Sequence, residues 1–183
     1  MKRTHARDRI YCLHHTAWGW VALAATDFGV CNTCLPVKAK TKAIQQLKDW
    51  KAASGGAWIE DPRAALLINA VKQFDAYFAG ELREFTLPLD LFGVTLFRRR
   101  VYECAMQTLP YGEICSYGEL ADRIQAPKSA RAVGQAMGVN PIPPIMPCHR
   151  VIASDGGLGG FGPGLDMKQR MLEMENREVF KLR

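Results

Sequence analysis

Residues 140–151, Asn-Pro-Ile-Pro-Pro-Ile-Met-Pro-Cys-His-Arg-Val, restrict the backbone of this chain more than any other stretch. Each proline fixes its own φ, removes a hydrogen-bond donor and pushes its predecessor out of the helical region. Pro141, Pro143, Pro144 and Pro147 therefore predict an extended approach rather than a helix. That approach delivers Cys148 and His149, a soft nucleophile beside a base that titrates near neutrality. Downstream, residues 156–164 read Gly-Gly-Leu-Gly-Gly-Phe-Gly-Pro-Gly, a loop long enough to fold over a site. A rigid approach, a thiol and a flexible loop predict a reactive cysteine. A thiol attacks only as thiolate, and His149 is the one histidine in the second half of the chain to take its proton. Such a histidine needs a partner on its far nitrogen to fix the tautomer, and Glu175 and Asp155 are the candidates.

The remainder must carry this site. At 183 residues the chain suffices for one or two small domains, and 48% hydrophobic with 23% charged residues is an ordinary globular balance. No apolar run approaches a membrane span. The basic start (Lys2, Arg3, Arg7, Arg9) is not followed by a signal-peptide core, so a cytoplasmic protein off the membrane is expected. The net charge of +6 suits a polyanion, most simply nucleic acid. Reduced thiols are expected in that compartment. Cys12, Cys31 and Cys34, with His14 and His15 nearby, lack a second Cys-x-x-Cys to complete a four-ligand set. They read as small half-buried strand residues, and no metal is expected.

Periodicity divides the chain in two. Strands are expected over 9–13, 18–24 and 30–35 as a small antiparallel meander, followed by a basic surface helix over 38–50. Asp61 and Pro62 predict the start of a second helix. Its apolar stripe is Leu67, Val71, Phe74 and Phe78, and Gly80 ends it. Residues 85–93 read as an extended connector, which sets domains at 1–93 and 94–183. In the second, a helix from Thr95 places Phe97, Val101, Cys104, Ala105 and Thr108 on one face, with Cys104 a core thiol. Ser116-Tyr117-Gly118-Glu119 has capping-box spacing. The helix it starts and another over 129–138 make a helix-turn-helix pattern. The second helix turns Val133, Ala136 and Met137 inward and Arg131 and Gln135 outward. A last helix over 166–175 is expected to bury Met167, Met171 and Met174, with Lys168 and Glu175 on a neighbouring face.

Pro147-Cys148-His149-Arg150-Val151, the preceding Asn140-Pro141 and the following Gly164-Leu165-x-x-Lys168 resemble the O6-alkylguanine-DNA alkyltransferases, direct-reversal repair proteins. So do Pro110-Tyr111-Gly112-Glu113, Ser116 to Ala121 and Ala130-Arg131-Ala132-Val133-Gly134. The resemblance covers nearly all of 95–175, and is weaker in 19–29, 77–80 and 87–90. It implies an α/β (α+β) protein: a small N-terminal antiparallel-sheet, ribonuclease-H-like domain and a mainly helical, winged-helix C-terminal domain. It also implies single-turnover transfer of an alkyl group from O6-alkylguanine, and from O4-alkylthymine, in double-stranded DNA to Cys148. In that scheme His149 activates the thiol through a water, Glu175 rather than Asp155 orients His149, and Tyr117 donates to the leaving guanine. Arg131 fills the base stack as the nucleotide is rotated out, on a helix lying in the minor groove. Asn140 ties that helix to the cysteine segment. Met137 and Pro143 wall the alkyl pocket, the backbone at Val151 and Gly162 faces the guanine, and Lys168 lies beside the loop. Gln135 shares the outward face with Arg131. No cofactor is required and a monomer is expected. The alternatives are a lesion-binding protein without transfer activity and a Cys-His hydrolase.

Overall fold

A computed structural model of the chain describes residues 7–176, and it divides into two compact units between Phe92 and Gly93. Lys2 and Arg3, in the basic start of the chain, lie outside the described residues. The first unit opens with β1 (Arg9–Thr16), β2 (Gly19–Thr26) and β3 (Gly29–Thr33), joined as an antiparallel meander. β2 is buried along its length except at Trp20, because small residues such as Ala22, Ala24 and Ala25 let neighbours approach closely. Helix α1 (Lys40–Ala53) lies on one face of the sheet, where Lys40 and Lys51 sit 4.7 and 4.0 Å from the Trp20 and Tyr11 ring centroids. Helix α2 (Ala65–Phe78) takes the opposite face, with Asp75 on His14 at 2.8 Å. Alternation along β1 sends Tyr11 and His14 to opposite sides.

Two sequence expectations fail here. The sheet is not purely antiparallel: β4 (Trp58–Glu60) pairs parallel to β1, giving the order β3-β2-β1-β4. Three residues are too short for alternation to announce a strand, and pairing is settled by the neighbour it meets. Helix α2 also starts later than Asp61 and Pro62 predict. Ala64 is its cap residue, without a side-chain bond, while the Asp61 carboxylate accepts from the Arg63 amide (3.1 Å) in a turn ahead of the helix. Gly80 follows α2 at φ +79°, as the sequence requires. The connector is extended and bridges β3 at Val30–Leu89. There a side chain at Gly29 would lie 2.5 Å from the Pro88 carbonyl oxygen.

The second unit holds α3 (Leu96–Thr108), β5 (Cys115–Ser116), α4 (Tyr117–Arg123), α5 (Ala130–Gly138), a 3-10 turn at Cys148–Arg150, β6 (Val151–Ile152) and α6 (Leu165–Glu175). β5 and β6 pair in parallel, Cys115 with Val151 and Ser116 with Ile152. That short ladder brings the first residue of α4 to the segment that follows Cys148. Helix α3 buries Val101, Tyr102 and Ala105. Cys104 is only half-buried, not a core thiol, because the helix is rotated to bring in Tyr102, whose hydroxyl donates to the Ala136 carbonyl (2.7 Å). The α6 stripe is likewise rotated: Lys168, Met171, Leu172 and Glu175 are buried, and Met167 and Met174 only half so. Met171 is inside as expected, while two charged residues take the interior places expected of Met167 and Met174.

Candidate active site

The proline-rich approach is a run of turns rather than an extended segment. Local hydrogen bonds override what proline φ alone predicts. The Asn140 side chain accepts from the Ile142 amide (2.9 Å) and donates to the Met146 carbonyl (2.7 Å). Met146 N–H donates to Ile142 (3.0 Å), and Cys148 N–H donates to Met146 (2.9 Å). An asparagine that bonds its own backbone two residues on is a turn former, so Asn140 joins the end of α5 to the cysteine turn. Cys148 is 6% exposed, and burial pushes its thiol up; the Asn140 amide and the Lys168 ammonium act in the opposite direction. The resting side chain is a protonated thiol that needs a base.

His149 is wholly buried, its Nε2 2.9 Å from Glu175 Oε1. Burial pushes its pKa down against the pull of Glu175, so the ring is neutral near neutral pH. A carboxylate on Nε2 selects the Nε2–H tautomer, which puts the lone pair on Nδ1. Asp155, the other candidate, instead accepts from the Gly157 amide at 2.9 Å. Burial alone would raise the Glu175 carboxyl, but hydrogen bonds from His149 and Arg150 outweigh it and hold the group well below the carboxylate range. Arg150 Nε lies 2.8 Å from Oε2 and Nη2 lies 2.8 Å from Oε1, while Nη1 donates to the Leu109 carbonyl (2.7 Å). The Gly112 amide adds a bond to Oε2 at 3.2 Å.

Tyr117 is the first residue of α4, where a complete capping box fixes the helix start: Ser116 N–H to Glu119 at 2.6 Å, and Glu119 N–H to the Ser116 hydroxyl at 3.1 Å. Burial, then the neighbouring Cys148, pushes its phenol up, so it stays a proton donor. The glycine loop packs on the ring. At Gly159, φ +67° strains any side chain, and a Cβ there would crowd the ring at 3.2 Å and the hydroxyl at 3.3 Å. From α5, a Cβ on Gly134 would meet the ring at 3.7 Å. Lys168 secures the loop: its Nζ donates to Val151 (2.7 Å) on β6 and Leu158 (2.6 Å) in the loop, 5.8 Å from the Tyr117 ring centroid. Burial pushes this lysine down to about 8, with Cys148 opposing.

The site residues anticipated from the sequence thus fall into two groups. Cys148, His149, Glu175, Tyr117, Asn140, Lys168 and Val151 form one connected cluster, with Met137 buried (5% exposed) and Pro143 half-buried in the same unit. Arg131 and Gln135 lie on the exposed side of α5 and Gly162 in the exposed part of the loop. Sequence reasoning missed Arg150 and Gly159. The only signal for Arg150 was its place next to the Cys-His pair. In the first unit Cys12, Cys31 and Cys34 are buried thiols, each pushed up to about 11 chiefly by burial.

A buried thiol beside a buried histidine, on a unit organised around a helix pair, is an arrangement that suits a cysteine used as a nucleophile. Residues 96–177 match the DNA-binding domain of 6-O-methylguanine DNA methyltransferase, and residues 23–91 match the ribonuclease-like domain of the same protein. The methylated-DNA–protein-cysteine methyltransferase of Mycolicibacterium paratuberculosis is 51% identical over 142 residues, 78% of this chain and 82% of that protein. The protein of the same name from Methanosarcina acetivorans is 44% identical over 119 residues, 65% of this chain and 74% of its own length. Mycobacterium tuberculosis OGT, crystallised in complex with DNA, is similar in structure, with a TM-score of 0.75 and 41% identity over 92% of this chain and 93% of that one. This chain belongs to the 6-O-methylguanine DNA methyltransferase family.

Proposed function

We propose that this protein is a methylated-DNA–protein-cysteine methyltransferase that moves the alkyl group of O6-alkylguanine in duplex DNA onto Cys148, once per molecule. The observation that carries the reading is a buried Cys148 next in sequence to a buried His149 whose Nε2 lies 2.9 Å from Glu175, in the unit that bears α5. Helix α5 presents Arg131 and Gln135 to solvent, and Ala130, Ala132 and Gly134 keep its surface low. Such a helix suits close approach to a minor groove, with Arg131 filling the gap left by an extruded nucleotide. The extruded base would lie against Met137, Pro143 and the backbone at Val151 and Gly162.

His149 Nδ1 takes the Cys148 proton through a water, and Glu175 stabilises the imidazolium. The thiolate attacks the alkyl carbon; the carbon–sulfur bond forms as the carbon–O6 bond breaks, and the electron pair leaves with guanine. Tyr117 donates its proton to the guanine anion and recovers one from His149, so the thiol proton ends on the base. The thioether product has no easy leaving group, which limits the protein to one turnover. The same chemistry extends to O4-alkylthymine, needs no cofactor and is complete in a monomer.

Incubation with duplex DNA carrying labelled O6-methylguanine tests the reading. One label per molecule on Cys148, and none on Cys148→Ala, is expected. Lesion binding without label would make the protein a sensor instead, and multiple turnovers on an ester would make it a hydrolase.

A further inference from the structure

We propose that Arg150 is a positioning residue that keeps His149 in its neutral, proton-accepting form by engaging both oxygens of Glu175. A nearby carboxylate raises a histidine's affinity for a proton, and an imidazolium is a base already spent. Here the guanidinium contacts Oε2 through Nε and Oε1 through Nη2, each at 2.8 Å, so Glu175 Oε1 serves His149 and Arg150 together. Arginine holds its charge at every accessible pH, and its fork matches a carboxylate in two parallel bonds. The Leu109 carbonyl at 2.7 Å fixes the third arm of the guanidinium. The negative charge needed to orient the imidazole is therefore largely compensated before it can hold a proton on it.

The charged and titratable groups acting on His149 include Glu175 and Lys168 from α6 and Arg150 from its own turn, with Cys148 adjacent in sequence. Glu175 favours the imidazolium, and Arg150 and Lys168 oppose it together with burial. Lys168 sits on the Val151 and Leu158 carbonyls, not on Glu175. Of these two cations it is Arg150 whose hydrogen bonds reach the carboxylate that meets the histidine. The single transfer event needs a base that is empty when DNA arrives, and this arrangement supplies one across the neutral range.

This inference rests on the transfer reading, so its test uses a readout that needs no DNA. The His149 ring nitrogens of isotopically labelled protein are followed by NMR between about pH 5 and 9, with the transfer rate measured in parallel. Wild-type protein is expected to hold a neutral Nε2–H ring to a lower pH than an ordinary histidine. Arg150→Met should raise the His149 midpoint by about 1 to 3 pH units, the effect of one neighbouring charge. The acid limb of its transfer rate should rise equally, with activity returning in alkali. Arg150→Lys, which keeps the charge, should stay near the wild-type midpoint. An Arg150→Met midpoint equal to wild type, with transfer reduced equally at all pH values, would overturn the proposal. If that variant does not fold, a wild-type ring already protonated at pH 6.5 overturns it alone. Absence of label on Cys148 at any pH, with the expected NMR pattern intact, would instead remove the transfer reading and leave the charge assignment standing.

Discussion

Helices α2 and α6 bury stripes with the same helical spacing and fill them with opposite chemistry. In α2 the stripe is Leu67, Ala70, Phe74, Tyr77 and Phe78. In α6 it is Lys168, Met171, Leu172 and Glu175. The first is cohesive: Phe74, Phe78, Tyr77 and Phe85 pack edge-on or tilted with ring centroids 5.1 to 6.0 Å apart, each contact favourable wherever it is formed. The second is costly, because two charges leave water and depend on partners from other elements and the glycine loop: His149, Arg150 and Gly112 for Glu175, Val151 and Leu158 for Lys168. A hydrophobic stripe builds a unit. A charged one builds a site.

The contrast can be broken from either side. Glu175→Gln leaves Arg150 without its counter-ion in a buried place, and should cost about 3–5 kcal/mol of stability. It should also slow transfer by roughly 100-fold or more by weakening control of the histidine tautomer. Phe74→Ala should cost a similar ~3–5 kcal/mol through the cavity it leaves. Transfer per folded molecule should then stay unchanged. Urea unfolding followed by hydrogen exchange in each unit, with burst stoichiometry alongside, separates the two. A Phe74→Ala protein that folds but loses its chemistry would end the distinction.

Acid should sharpen it. The folded pKa of His149 is lowered, so below its ordinary value of 6.5 the unfolded chain takes a proton that the native second unit refuses. Stability therefore declines as pH falls from about 6.5 towards the folded value. Glu175, also lowered, adds a further loss below its ordinary 4.5. In the first unit the lowered group is Asp90, buried but bonded by Thr26 and Arg7, and its contribution is lost only below its ordinary 3.8. Exchange protection should fail first in the second unit on acidification; simultaneous failure would contradict the assignment. The smallest effect belongs to a helix end. Ser116→Ala removes the α4 cap for about 1 kcal/mol and should slow transfer modestly through Tyr117, while α2, which has no side-chain cap, offers no counterpart to lose.

What could be read from the sequence follows the same division. The α2 stripe was legible because apolar side chains at helical spacing have one stable use. The Ser116–Glu119 cap and the α4–α5 pair were legible because their signals are local. In α6 the spacing predicts Met171 inside correctly but not Lys168 and Glu175, because lysine and glutamate are ordinarily surface residues and their burial depends on partners on other elements. Cys104 and Tyr102 exchanged places for a related reason: a tyrosine can be buried when its hydroxyl finds a carbonyl, and Ala136 lies on another helix. The turns of residues 140–148 depend on bonds that proline statistics do not contain.

By itself, then, the sequence determined the family, the pairing of a thiol with a base, and the helices whose spacing or caps declare them. These properties reside in neighbouring residues, and neighbours are fixed by covalent order. The resemblance already implied Glu175 rather than Asp155 as the partner of His149; tertiary structure decided that Arg150 shares that carboxylate and that Lys168 binds the glycine loop to β6. Those choices are made by charges that burial strips of water, and a stripped charge takes whichever partner the fold brings within hydrogen-bond reach.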